Sequence, residues 1–96
     1  MEEITRLGDV LGRLALLDQD ATIYAAEPWT DESAAIVAIE PPSGGLPEET
    51  TRRGLKYFLE VSEARDFLTG WEATRSESPT AQERRARIIR YAIDDA

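Results

Sequence analysis

The chain of 96 residues carries 19 acidic and 11 basic side chains, no histidine and no cysteine, for a formal net charge of −8. These counts exclude a disulfide framework, a zinc–thiolate or iron–sulfur centre, a thiol nucleophile and imidazole acid–base or imidazole–metal chemistry, while carboxylate-only catalysis or Mg²⁺ binding remains open. With 42% hydrophobic and 31% charged residues, and a length below ~150 residues, the chain reads as one soluble domain with a small core and little room for a deep active site.

The first element is an amphipathic helix over 4–17. Ile4, Leu7, Val10, Leu11, Leu14 and Leu17 recur at steps of three and four, which places them on one stripe. Gly8 and Gly12 each cost about 1 kcal/mol relative to alanine there, so this helix depends on packing. Asp18-Gln19-Asp20 ends it. Ala21–Ala26 and Ala34–Ile39 are short, branched and bounded by acids and prolines, as strands are. The second is apolar on both alternating sets, which suits a central position. Between them Glu27-Pro28-Trp29-Thr30-Asp31-Glu32 forms a turn with an indole at its tip.

A connection of fourteen residues follows at 41–54, rich in proline and glycine. Such length is the mark of a functional or disordered loop, and a short helical turn fits near Pro47, with Glu48 and Glu49 at its N-terminus. Leu55–Glu60 is a third strand running into a helix over 62–74, for which Ser62 is the expected N-cap and Ala64, Phe67, Leu68 and Trp71 the apolar face. After Ser76-Glu77-Ser78-Pro79 a last helix begins at a Thr80-Ala81-Gln82-Glu83 capping box, with Ala81, Ile88, Ile89, Ala92 and Ile93 as its stripe. The expected architecture is a single α+β domain over 1–96 in the order α-β-β-β-α-α, with a three-stranded antiparallel sheet packed by helices.

The charge is unevenly placed. Residues 14–51 contain no lysine or arginine, so the whole −8 sits in the first half, whereas Arg84, Arg85, Arg87 and Arg90 cluster near the end. Asymmetry of this kind steers partners. On the last helix Arg85 falls within the apolar stripe and requires a carboxylate or carbonyl partner from another element. The remaining arginines have two readings: solvated beside Glu83, or, with Tyr91, a second patch (Arg84, Arg87, Arg90, Tyr91) suited to acidic groups of a partner or to the acidic half of a second copy. Trp29 has two readings: a hot spot framed by acids, or a core cap folded back over a small interior.

No motif supplies hydrolytic machinery. Ser43-Gly44-Gly45 lacks the Gly-Lys-Ser/Thr continuation of a phosphate loop, and Lys56 is the chain's sole lysine. Asp31-Glu32, Glu48-Glu49 and Asp94-Asp95 are adjacent pairs, whose side chains point apart rather than forming dyads. Asp18 and Asp20 lack the glycine and distal glutamate of a calcium loop and read as a solvated turn. The net charge opposes nucleic acid. No apolar run reaches the ~18 residues of a membrane span and Met1-Glu2-Glu3 is unlike a signal peptide, so a cytoplasmic protein without membrane contact is expected.

Asp20-Ala21-Thr22-Ile23-Tyr24, Pro28-Trp29-Thr30, Tyr57-Phe58-Leu59-Glu60-Val61 and the ending Arg90-Tyr91-Ala92-Ile93-Asp94-Asp95-Ala96 resemble a family of small bacterial proteins. That resemblance implies a bacterial single-domain protein and assigns no activity and no site. The functional expectation is a non-enzymatic interaction protein, antitoxin-, immunity- or inhibitor-like, without cofactor or metal. It meets a basic partner through an acidic hairpin surface of Glu27, Trp29, Asp31, Glu32 and Glu40. Self-association of the acidic half with the arginine helix is the alternative, and a carboxylate- or metal-dependent enzyme the third.

Overall fold

The computed structural model describes residues 4–39 and 53–95. The helical turn expected near Pro47, Glu40 and most of the loop at 41–54 lie outside these residues. Gly54 falls at the end of that loop with φ of 72°, a left-handed conformation that glycine adopts without steric cost, and it delivers the buried Leu55 to the sheet.

The domain is α+β with an antiparallel sheet, but the sheet has four strands rather than three. In chain order the elements are β1 (Thr5–Arg6), α1 (Leu7–Gly12), a 3₁₀ turn (Leu14–Leu16), β2 (Ala21–Ala25), β3 (Ala34–Ile39), β4 (Lys56–Glu60), α2 (Val61–Ala73) and α3 (Ala81–Asp95). The strands lie in the order β1-β3-β2-β4. The expected helix over 4–17 is thus corrected: its first residues pair as a strand with Ala34 and Ala35, and its helical part shrinks to six residues and a 3₁₀ turn.

So short a helix is marginal by itself. It persists because other elements satisfy both ends of the segment. The Leu7 and Gly8 amides donate to the carbonyls of Ser33 (2.8 Å) and Asp31 (2.9 Å) in the β2–β3 turn, replacing a side-chain cap. At the far end the Arg65 guanidinium donates to the Leu14 carbonyl at 3.1 and 2.9 Å, and also to that of Leu17. Leu16 is left 85% exposed.

β2 is buried along all five residues because it is flanked by β3 and β4. Ile23 and Ala25, with Ala35 and Leu59, face the helices, where they meet Leu7, Val10, Leu11 and Leu14, then Val61 and Ala64, then Ile88 and Ala92. A smaller cluster of Tyr24, Ile36, Ala38 and Leu55 occupies the alternate set of strand positions. β4 is bulged: Ile23 opposes Leu59 and Tyr24 opposes Tyr57, so Phe58 is the extra residue. The bulge turns consecutive side chains inward, and Phe58 and Leu59 are 2% and 1% exposed.

β4 passes directly into α2, which begins at Val61 with Glu60 as N-cap and no side-chain cap bond. Ser62 is therefore inside the first turn rather than at the cap. Val61, fully buried, fixes the chain one residue earlier. Trp71 is half-buried with Arg75 4.9 Å above its ring, instead of in the core.

The capping box at the start of α3 forms as expected. The Thr80 amide donates to Glu83 Oε1 at 2.8 Å and the Glu83 amide to Thr80 Oγ1 at 3.0 Å. The hydrogen bond from the Thr80 amide, seconded by Arg75, holds the Glu83 carboxyl below its ordinary range. A depressed carboxylate pKa contributes stability above the ordinary value and loses it as pH falls through the lower, folded one. Glu83→Gln is expected to melt below the parent protein at pH 7, the gap closing over the window that opens at the ordinary glutamate pKa and extends below it. Melting curves at both ends of that window test this, and a gap independent of pH contradicts it.

Candidate functional site

The β2–β3 turn folds back on the domain instead of projecting from it. Trp29, next to the cis Glu27–Pro28 bond, is only 8% exposed. Its Nε1–H donates to the Ala25 carbonyl at 3.1 Å, and its ring meets Phe58 edge-on at 4.9 Å and 80°. The reading of Trp29 as an exposed hot spot is corrected in favour of the core cap: a core this small draws in a large apolar side chain that has a partner for its N–H. Ser33 locks the turn, its hydroxyl donating to the Pro28 carbonyl (3.0 Å) and accepting from the Thr30 amide (2.9 Å).

The two acids at the tip diverge. Asp31 Oδ1 accepts from Arg85 Nε at 3.3 Å, which gives Arg85 the carboxylate partner its place in the apolar stripe requires. Glu32 accepts from Arg6 at 3.2 Å, and Arg6 also lies 3.5 Å from Asp9. The Arg6 pKa is raised, first by the Glu32 hydrogen bond and then by the charges of Asp9 and Glu32. The Arg6 pairs are exposed and screened by solvent, whereas the Asp31–Arg85 pair is half-buried. Glu27 is exposed beside Pro28. The five predicted hairpin residues therefore divide into a free acid (Glu27), two acids paired within the chain, a buried indole, and Glu40 outside the described residues.

The arginine patch is also divided among partners. Arg84 Nε reaches Glu72 at 2.8 Å, Arg87 lies 5.0 Å over the Phe67 ring, and Arg90 pairs with Asp94 at 3.3 Å. Tyr91 stacks on Phe67 with centroids 4.1 Å apart, and its hydroxyl lies 3.5 Å from Glu63. Arg84, Arg87 and Tyr91 of the predicted patch thus brace α3 against α2, while Arg90 pairs within α3 itself.

What the fold does bring together is the turn and α3. Trp29, Thr30 and Asp31 face Ala86, Ile89, Arg90 and Ile93 across an open groove of about 310 Å³. Its floor is apolar, and Ile93 is 47% exposed. Sequence reading assigned Ile93 to the core stripe. At 100° per residue, however, Ile89 and Ile93 sit a quarter-turn from Ile88 and Ala92, and a stripe wider than the core covers leaves its flank outside. That excess width was the available signal.

A second hollow, about 420 Å³, lies among Leu11, Leu14, Arg65, Leu68, Glu72 and Arg84. Its charged groups are engaged in the Arg65–carbonyl and Arg84–Glu72 contacts already described. Elsewhere Asp18 and Asp20 form the expected turn, Asp18 Oδ1 accepting the Asp20 amide at 2.8 Å. The Tyr57 hydroxyl, 3.4 Å from Glu63, has its pKa pushed up to about 12 by partial burial, then by the charges of Glu63 and Glu60. It stays protonated at neutral pH and offers no base there. Asp31, the carboxylate at the groove, is held by an arginine rather than by a nucleophile.

Among the described residues no helix is long and apolar enough to cross a membrane. No family model, curated protein or solved structure matches the chain.

Proposed function

We propose that the protein is a small non-enzymatic interaction protein, antitoxin-, immunity- or inhibitor-like, that holds a basic protein partner on the side built by the β2–β3 turn. The observation that carries this reading is the disposition of the surplus charge. Acids exceed bases by eight and residues 14–51 contain no base. The arginines nearest the turn are already engaged, Arg85 by Asp31 and Arg6 by both Glu32 and Asp9. The remaining negative field then acts on partners, favouring cations over a second acidic copy. Self-association through the acidic half and the arginine helix is supported less, since Asp31 pairs with Arg85, and Arg84 and Arg90 pair with Glu72 and Asp94, within one chain.

Affinity capture from the native host at low and moderate salt tests this reading. The expected result is an identified partner rich in lysine and arginine, lost on raising the salt and lost from a Glu27→Lys, Glu32→Lys variant. Recovery of no basic partner, or binding indifferent to both salt and charge reversal, overturns it.

A further inference from the structure

We infer that the groove between the β2–β3 turn and α3 is the apolar part of that interface, and that it receives an aliphatic side chain of the basic partner flanked there by lysine or arginine. This inference rests on the proposed function and adds to it the site and the chemistry of its occupant.

The groove combines two features. Ala86 and Ile93 are exposed and Ile89 half-buried beside the inner edge of Trp29, so apolar surface remains open where the helix stripe overruns the core. Asp31 is the carboxylate of its lining, and Asp94 follows the lining residue Ile93 in the chain. Asp31 and Asp94 each use one oxygen on an arginine of the same chain, with side chains still 42% and 57% exposed, and Glu27 is exposed on the same turn. Arg90, the one cation lining the groove, is offset by Asp94 at 3.3 Å. An apolar floor beside the partly available Asp31 carboxylate, on a chain whose surplus charge is negative, is complementary to an aliphatic side chain between cations.

The alternatives fit less well. At about 310 Å³ and wide open, the groove sits at the lower limit of small-molecule sites, which enclose most of their ligand. A second copy brings its own net charge of −8 to the same face, a like-charge juxtaposition. The more exposed Leu16, at 85%, lies on the 3₁₀ turn away from this groove and serves as the control.

The test is a ¹⁵N NMR titration of the full chain with three synthetic helical peptides of equal length: leucine–lysine amphipathic, leucine–glutamate, and serine–lysine. The two indole N–H signals act as reporters, Trp29 beside the groove and Trp71 on α2 under Arg75. The leucine–lysine peptide is expected to shift the Trp29 indole and the Ile89 and Ile93 amides, leaving the Trp71 indole in place. It should bind at least about ten-fold more tightly than the serine–lysine peptide. Ile93→Asp, and independently Ala86→Leu, which fills the groove, should each weaken it about ten-fold, with Leu16→Asp changing it less than about two-fold. Equal binding of both lysine peptides, with shifts confined to Glu27 and Glu32, overturns the groove but leaves the acidic-surface reading standing. Binding of the leucine–glutamate peptide as tightly, or of none of the three, overturns both.

Discussion

Trp29→Ala is expected to lower the stability of the domain by about 3–5 kcal/mol, the range for removing a buried large aromatic side chain. The indole fills the end of the core against Phe58 and donates its N–H to Ala25, so truncation leaves both a cavity and an unpaired carbonyl. In a domain of this length each kcal/mol moves Tm by roughly 4–8 °C, and the drop should exceed about 12 °C. Trp29→Phe, which keeps ring contact but loses the hydrogen bond, should cost only about 1–2 kcal/mol. Thermal or denaturant melts decide the matter. An unchanged Tm for the alanine variant, with loss of partner binding alone, would mean that the indole serves recognition and not the core.

Gly8→Val should destabilise by about 1–3 kcal/mol, although valine is the better helix former. A Cβ built on Gly8 comes within 3.1 Å of both the Asp31 Cβ and the Asp31 carbonyl oxygen, whereas at Gly12 it meets nothing within 4 Å. Valine must push α1 away from the turn, and the Leu7–Ser33 and Gly8–Asp31 backbone bonds lengthen with it. Gly12→Ala in the same helix is expected to stabilise by about 0.5–1 kcal/mol. Denaturant melts of the two variants should therefore move in opposite directions. If both stabilise, α1 is not held to the turn by close approach.

These two glycines show how far the sequence could be read. Both entered as helix-weakening residues at positions of equal cost, and nothing in the local pattern separates them. The difference lies with Asp31, more than twenty residues away. Features set by near neighbours were legible: the Thr80–Glu83 capping box, the Asp18–Asp20 turn, strands β2 to β4 and the need of Arg85 for a partner. Those that depend on distant groups were not. Thr5 and Arg6 lie between Ile4 and Leu7 of a helical stripe, yet the edge of β3 offers them a ladder. Arg65 gives no sign in sequence that its guanidinium closes the 3₁₀ segment by binding two carbonyls some fifty residues away. The candidate site was half legible, since the turn was singled out by its acids and indole, while its other wall was read as core.

By itself the sequence determined the α+β class, the antiparallel pairing of the middle strands, the absence of thiol and imidazole chemistry and the concentration of negative charge in residues 1–48, because composition and short-range periodicity fix these regardless of how the elements meet. Tertiary structure alone decided that Trp29 turns inward, that Asp31 and Arg85 neutralise each other, and that Ile89 and Ile93 remain at an open groove. Each of those outcomes depends on which surfaces the packing of α3 against the β2–β3 turn buries, and burial is a property of the assembled core rather than of any segment.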